Sequence, residues 1–311
     1  MKHLGISGGG TKISGLFGAA EIMLTKKNYK PDIISGISAG AVLSVPLALG
    51  KMEEIKEVIL SLTLNTFFNV PPVRKNGKLR LTNALSKLIQ GQHYLGEQFN
   101  LEVQLKKMVS REEFDAYRKN DDLAICIVGA VDFYTGRRFF VNLKEVEYDL
   151  FPSLVNASAS IPIFTPGILL SGPIDDFEGN TINHDMLLFD GGVRDHNPTH
   201  RILSSNKYNI TESASIFSRP EDNQLLPNNC KPRNLLKLLG RYTDITSTEI
   251  SKDDEFREKQ YFQSSNTFNH GTFFLPSIMK DVYDVDKTRL RQLYEAGRQI
   301  VDNNWNVGVI A

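Results

Sequence analysis

Residues 4–40 have the sequence LGISGGGTKISGLFGAAEIMLTKKNYKPDIISGISAG, and this stretch decides the fold. A short apolar run over Leu4–Ser7 predicts a strand. Three glycines separate it from a segment with apolar residues at helical spacing: Leu16, Phe17, Ala20, Ile22 and Met23. A second strand is predicted over Asp32–Ser35 and a second helix over Ala39–Leu49, which ends at a glycine. Because a helix that joins two short strands favours parallel pairing, the pattern predicts an α/β fold.

The rest of the chain adds further elements to this unit. Apolar patterns predict strands and helices over Leu123–Ala130, Arg138–Val141, Met186–Phe189, Met52–Leu64 and Phe151–Ser160. Ser110 and Glu113 have the spacing of a capping box, which predicts the start of another helix. Beyond Asn223 the chain is more polar and mainly helical. We therefore predict a three-layer α/β sandwich with a mainly parallel central sheet and helices on both faces.

Composition and charge narrow the class of protein. The 311 residues include 36 Lys and Arg and 36 Asp and Glu, so the formal net charge is zero and no global field favours nucleic acid. Two cysteines, Cys126 and Cys230, are too few for a disulfide framework or a four-ligand zinc site. The N-terminus lacks the apolar run of a signal peptide, and no window has about 18 uninterrupted apolar residues. We expect a cytoplasmic protein whose contact with membranes is at most peripheral.

The strongest local motif is Gly36-Ile37-Ser38-Ala39-Gly40, which matches the G-x-S-x-G pattern of a nucleophile elbow. It lies between the second predicted strand and the second predicted helix, which is the context that this motif requires. A serine on such a turn projects its hydroxyl away from the sheet, and the following helix directs N–H groups toward the site. The motif therefore predicts that Ser38 is a nucleophile.

Two glycine-containing motifs flank this pentapeptide. Gly8-Gly9-Gly10 follows the first predicted strand and exposes N–H groups that can bind an oxyanion or a phosphate. A dinucleotide-binding turn is the competing interpretation, but Ile13 occupies the place of its third glycine and the second strand lacks a terminal acidic residue. Asp190-Gly191-Gly192 follows a later strand, where the aspartate can face a cleft. By itself that tripeptide is more often a turn.

Taken in order, these motifs resemble those of the patatin-like phospholipases. The segment Ala157-Ser158-Ala159-Ser160-Ile161-Pro162 is similar to the family's A-S-x-A-I-P, and Asn197-Pro198 follows the aspartate as it does in the family. The resemblance covers about residues 4–200. One departure is Ile13, which replaces the last glycine of the G-G-G-x-R/K-G loop, whereas Lys12 matches its basic position. The resemblance implies a patatin-like catalytic core at 1–205 and a mainly helical part at 206–311, which we expect to pack on the same domain.

The resemblance also implies a mechanism. Ser38 would be the nucleophile and Asp190 the general base of a two-residue dyad, and the N–H groups around Gly8, Gly9 and Gly10 would form the oxyanion hole. The implied reaction is hydrolysis of fatty-acyl esters of phospholipids or lysophospholipids through an acyl-enzyme. The implied partner is a lipid substrate, and no cofactor or metal is needed.

Other interpretations stay open at this point. A Ser-His-Asp esterase needs a histidine after its acid, and His270 has that order relative to Asp190. A nucleotide-binding or regulatory module would use the glycine loop, and a catalytically inactive homologue would serve as a binding scaffold. His196 and His200 have the i, i+4 spacing of a metal pair, although a surface helix is the simpler interpretation. The aromatic and basic residues of Phe67–Arg80 suggest a flap that contacts anionic lipid, with a solvated loop as the simpler interpretation.

Overall fold

The computed structural model describes residues 1–73, 86–87, 89–205, 207–221, 235–263 and 269–307. The strands are β1 (Lys2–Ile6), β2 (Ile33–Ile37), β3 (Ile125–Asp132), β4 (Arg138–Asn142), β5 (Ile168–Leu170), β6 (Ile174–Asp175), β7 (Thr181–Ile182), β8 (Met186–Asp190), β9 (Glu212–Phe217) and β10 (Asn269–Phe274). The helices are α1 (Ile13–Thr25), α2 (Ala39–Ala48), α3 (Met52–Leu60), α4 (Leu64–Phe67), α5 (Phe99–Met108), α6 (Arg111–Lys119), α7 (Phe151–Ser158), α8 (Thr199–Ser204), α9 (Leu235–Gln263) and α10 (Lys287–Asn304). The second half of the Phe67–Arg80 loop, residues 74–80, lies outside these residues, as does Cys230.

One sheet organises the molecule, in the order β10-β9-β1-β2-β3-β8-β5, with β4 also paired to β3. The run from β10 to β3 is parallel, whereas β4, β8 and β5 join antiparallel. The first two strands and the helix between them form the parallel unit that residues 4–40 predict. The predicted α/β fold with a mainly parallel sheet is therefore confirmed.

Helices cover both faces of this sheet because successive residues of a strand point to opposite sides. In β2, Ile34 belongs to a large apolar core that also contains residues of α1 and α2. Its neighbours Ile33 and Ile37 point the other way and pack with Ile202 of α8. The three layers of the predicted sandwich follow from this alternation.

None of the helices in the described ranges has the length and apolar character needed to cross a bilayer.

Residues after 205 supply two strands, β9 and β10, that the helical pattern of this segment did not predict. Their sequences, ESASIF and NHGTFF, carry polar residues at buried positions and therefore lack a clear apolar period. Hydrogen bonds satisfy those polar groups inside the fold: Ser213 Oγ lies 3.1 Å from His3 Nδ1, and Ser215 Oγ donates to Thr199 at 2.7 Å. The segment also packs on the first helix, because the Tyr294 ring of α10 stacks on Phe17 of α1 at 6.0 Å.

The pairing of β3 places two distant parts of the chain next to each other. β4 pairs with Ile127–Val131 of β3, so it occupies one side of that strand. β2 pairs with Ile125–Gly129 and β8 with Ala130–Asp132, and both overlap the residues that β4 uses. β2 and β8 must therefore lie on the other side of β3, one after the other, and their carboxyl ends meet.

The start of α2 lies against the end of β1, and Gly40 makes this close approach possible. A Cβ atom at Gly40 would lie 2.2 Å from the carbonyl oxygen of Ile6 and 2.8 Å from that of Ser7. Both contacts are with backbone, which cannot rotate away as a side chain can. Any larger residue would push α2 off the sheet.

We predict that Gly40→Ala lowers the free energy of unfolding by at least about 3 kcal/mol, because the added methyl overpacks a backbone contact. Urea or thermal unfolding of the purified protein measures this. Gly50→Ala is the matched control, because a Cβ atom at Gly50 would have nothing within 4 Å. The positive φ of 73°, which glycine adopts freely, would be the only source of strain for the alanine. We expect about 1 kcal/mol there. A similar small loss in both variants would contradict the proposed contact.

Candidate active site

Ser38 occupies a strained turn between β2 and α2. Its φ of 56° and ψ of −122° are a conformation that non-glycine residues rarely adopt, at a cost of about 1–3 kcal/mol. The turn is so tight that a Cβ atom at Gly36 would lie 2.2 Å from the Gly40 carbonyl. Ile37 ends the strand and Ala39 starts the helix. These are the features of the elbow that the pentapeptide predicts.

The meeting of β2 and β8 brings Ser38 to Asp190. Ile37 is in register with Gly129 of β3, and Asp190 is in register with the next residue, Ala130. Ser38 directly follows Ile37, so the two side chains lie together. The Ser38 hydroxyl lies near the Asp190 carboxylate and lowers its pKa. Both residues are buried.

The segment 157–162 holds both of these residues in place. The Ser158 hydroxyl accepts a hydrogen bond from the N–H of Ser38 at 3.0 Å and donates to the Gly129 carbonyl at 2.5 Å. Two residues later, the Ser160 carbonyl accepts from the N–H of Asp190 at 2.9 Å. A single short segment therefore positions the backbone of both members of the pair. The sequence motif marked this segment but did not assign Ser158 a role.

Burial raises the pKa of Asp190 to about 6, because desolvation disfavours the carboxylate. The nearby Ser38 hydroxyl and the backbone N–H of Gly192, which donates to the carboxylate at 2.7 Å, oppose this effect. Gly191 and Gly192 begin a short 3-10 turn (Gly191–Val193) that presents this N–H. Asp190 is therefore ionised at neutral pH, and it is a stronger base than an exposed aspartate.

The glycine loop lies directly beside the serine. A Cβ atom at Gly8 would be 3.2 Å from Ser38 Cβ. The Gly8 N–H already donates to the carbonyl of His196 at 2.9 Å, so it is not free to bind substrate. No described residue accepts a hydrogen bond from the N–H of Gly9 or Gly10, and Gly10 borders the same pocket as Ser38. The predicted set of oxyanion donors therefore narrows from three N–H groups to two.

His270 lies far from Ser38. His270 of β10 is opposite Ser213 of β9. Ser213 is opposite His3 of β1, and His3 is opposite Ile33 of β2, so His270 lies at the level of Ile33 in the sheet. Ser38 is five residues beyond Ile33, which is about 16 Å along a strand. His270 instead stacks on Phe262 at 3.8 Å. It cannot hydrogen-bond to Ser38 in this fold.

His196 is not on a surface helix, contrary to the sequence interpretation. It lies in the loop after the Asp-Gly-Gly turn, with its Nε2 3.7 Å from the Cβ position of Gly8. The backbone N–H groups of His196 and Asn197 both donate to the buried carboxylate of Asp254 in α9, at 2.6 and 2.9 Å. Burial lowers the pKa of His196 to about 3, so its ring is neutral. No sequence motif links Asp254 to His196, because only the fold brings α9 to this loop.

Within the described ranges, no group of three or more His, Cys, Asp or Glu side chains could hold a metal ion. His200 lies in α8, four residues after His196, and is half-buried.

A mainly apolar pocket opens beside Ser38. Its wall is formed by the glycine loop, the start of α2, α4, α5 and the segment 282–285. The apolar lining residues include Ile13, Val42, Leu64, Phe67, Phe68, Leu101, Ile161, Val282 and Val285. The lining of the pocket is therefore mainly apolar, with Ser38 as one of its few polar residues.

The family model of patatin-like phospholipases matches residues 4–203, which is most of the chain. The chain belongs to the patatin-like phospholipase family. The match includes the glycine loop, the elbow and the Asp-Gly-Gly turn of this patatin-like chain and ends within α8.

Solved structures with some similarity include VipD from Legionella pneumophila (12% identity, TM-score 0.46, 97% of this chain, 66% of that one). Another is the type III effector protein ExoU (14% identity, TM-score 0.43, 96% of this chain, 51% of that one). A third is ExoU in its complex with SpcU from Pseudomonas aeruginosa (13% identity, TM-score 0.31, 97% and 58%). This patatin-like chain spans about half to two thirds of those proteins. No curated protein matches it.

We predict that Asp190→Asn is more stable than the parent protein at pH 8. The folded-state pKa of about 6 is above the usual 3.8, so the stability that this carboxyl contributes is present below about pH 4 and lost above about pH 6. Removing the ionisation should therefore raise the free energy of unfolding at pH 8 by up to about 3 kcal/mol. Urea unfolding at pH 4, 6 and 8 measures this.

The control is Asp185→Asn, which changes an exposed aspartate and should follow the parent at every pH. An Asp190→Asn protein that is less stable than the parent at pH 8 would contradict the proposed desolvation of the carboxylate.

Proposed function

We propose that this chain hydrolyses fatty-acyl esters of phospholipids or lysophospholipids, with Ser38 as nucleophile and Asp190 as general base. The observation that carries the proposal is the placement of Ser38, on its strained turn, next to the buried Asp190 at the meeting point of β2 and β8, beside an apolar pocket. Family membership supports a lipid ester as the substrate class.

In the first half of the reaction, Asp190 accepts the proton of Ser38 as Oγ attacks the ester carbonyl carbon. The negative charge that develops on the carbonyl oxygen is stabilised by the N–H groups of Gly9 and Gly10. The positive end of α2 adds to this stabilisation. When the tetrahedral intermediate collapses, the departing alcohol takes the proton from Asp190 and the acyl group stays on Ser38. Water, activated by Asp190, then releases the fatty acid.

An aspartate can act as the base here because its surroundings strengthen it. A carboxylate with its ordinary pKa is a weak base at neutral pH, and the raised pKa of Asp190, about 6, brings it closer to the working range. The same burial excludes water, which strengthens the interaction of the N–H groups with the oxyanion. Desolvation of the site thus strengthens both the base and the interaction of the N–H groups with the oxyanion.

A nucleotide-binding module is the less well supported alternative. A phosphate needs several free N–H groups at the turn between strand and helix. Here the Gly8 N–H is used by His196, and the Thr11 N–H donates to the carbonyl of Val282 at 3.0 Å. Two N–H groups of this turn are therefore already paired, which leaves fewer donors than a phosphate needs. Peripheral contact with a membrane, through the loop after Phe67, stays a prediction.

We predict that a fluorophosphonate probe labels the protein and that Ser38→Ala abolishes the labelling, because only an activated serine reacts readily with such probes. The control is Ser61→Ala, which changes an exposed serine at the end of α3. This variant should be labelled as strongly as the parent. Gel fluorescence and mass spectrometry of the labelled peptide provide the measurement. Labelling that persists in Ser38→Ala would show that another residue is the nucleophile.

We predict that Asp190→Asn lowers turnover of a short-chain ester by about 10³-fold, within the range that general bases contribute. Parent kcat/KM should rise with pH through about 6, because only the ionised carboxylate accepts the proton. His270→Ala and His196→Ala should retain most of the turnover. Loss of activity in either histidine variant, with retention in Asp190→Asn, would favour a Ser-His-Asp mechanism instead.

A further inference from the structure

Two hydroxyl groups in the pocket wall lack hydrogen-bond partners. Of the polar side chains that line the pocket, Ser38 lies beside Asp190, Thr63 lies 3.1 Å from another threonine hydroxyl, and Gln98 donates to an asparagine at 2.9 Å. The side-chain oxygens of Thr11 and Tyr283 are buried and unpaired among the described residues. Both residues border the pocket that contains Ser38.

A buried hydroxyl without a partner lowers stability, so proteins seldom retain one unless a ligand or water completes it. The remainder of this pocket is mainly apolar and gives a water few other groups to bind. The two unpaired hydroxyls in the same pocket wall therefore indicate that a polar atom of the substrate binds to them.

Tyr283 is held firmly in its place. Its ring packs edge-on against Phe68 at 6.0 Å and against Phe164 at 5.6 Å. The carbonyl of the preceding residue, Val282, accepts the hydrogen bond from the N–H of Thr11, so the two hydroxyl-bearing residues are tied together. These contacts hold the ring of Tyr283 and the backbone of Thr11 in place before any substrate arrives.

The surroundings of Tyr283 also indicate which part of the substrate it meets. Burial raises the pKa of its phenol, and the nearby charge of Asp190 raises it further, so the group stays neutral and can donate. In the mechanism above, Asp190 returns its proton to the departing alcohol. The alcohol part of the ester must therefore lie on the side of Asp190. Tyr283 lies on that side too, because its ring packs against Phe164, four residues after Ser160, whose carbonyl accepts the N–H of Asp190.

We propose that Thr11 and Tyr283 form a subsite that binds an oxygen on the carbon next to the scissile ester, and so select esters of glycerol over esters of simple alcohols. This rests on the proposed function of Ser38 and Asp190. The glycine loop takes the carbonyl oxygen of the ester, and the apolar wall takes the acyl chain. Among the described residues that line the pocket, these two hydroxyls are the side-chain groups without a partner, so they are available to the alcohol.

Deleting a single oxygen from the substrate tests this subsite. We predict that the parent prefers 1-lauroylglycerol over the laurate monoester of 1,3-propanediol, which lacks only the 2-hydroxyl. In Tyr283→Phe and Thr11→Val the ratio of kcat/KM for the two esters should fall about tenfold, as expected for one lost neutral hydrogen bond. Thr63→Val is the matched control, because its hydroxyl borders the same pocket but is already paired, and the ratio should stay as in the parent.

An equal loss on both esters would show that Tyr283 and Thr11 merely support the fold, and an unchanged ratio would show that they do not contact the alcohol. Either result overturns the subsite. If the parent hydrolyses neither ester, binding decides the subsite, and fluorophosphonate labelling of Ser38 decides the proposed function separately.

For that second measurement, Ser38→Ala is titrated by calorimetry with 1-O-dodecylglycerol and with 3-dodecyloxypropan-1-ol, ethers that cannot be cleaved. About tenfold tighter binding of the glycerol ether, lost when Tyr283→Phe is added, supports the subsite independently of catalysis. Equal binding of the two ethers to Ser38→Ala overturns it.

Discussion

The pairing of β3 with two strands on one side is the constraint on which the site depends. β2 runs along β3 until Ile37, and β8 enters from the opposite direction and ends at Asp190, one residue further along β3. Hydrogen bonds of the sheet therefore set the distance between residues that are 152 positions apart in the chain. The segment after α7 then fixes the two backbones, through the Ser158 hydroxyl and the Ser160 carbonyl.

The same arrangement keeps two unfavourable features in place. Ser38 has a strained backbone, and Asp190 has a carboxylate in a buried site. Each costs a few kcal/mol at most, which a large apolar core and an extended sheet can offset. A strained serine and a desolvated carboxylate are what a nucleophile and its base require. The residues of the site therefore lower the free energy of unfolding where the chemistry takes place.

The parts of the fold that the sequence predicts well are those with local causes. The strand-helix-strand unit follows from apolar periodicity in residues 4–40, and the helix that starts after Ser110 follows from its capping box, which the structure contains. G-x-S-x-G predicts the elbow because the turn itself demands glycine at 36 and 40. In contrast, β9 contains serines whose hydroxyls bond to His3 and Thr199, and no local apolar period indicates β9 or β10. Tyr283 was missed and His196 was assigned to a surface helix, because only tertiary contacts bring these residues to the site.

The contact between α9 and the loop at 196–197 has a consequence for how such proteins diverge. Asp254 binds the N–H of His196, and the carbonyl of His196 binds the N–H of Gly8, so a helix outside the family motifs helps to set the position of the glycine loop. Substitutions in that helix can shift the loop while every signature residue stays the same. Two members with identical motifs can therefore differ in rate or substrate choice for reasons that lie in the last third of the chain. Comparison of motifs alone would not detect that difference.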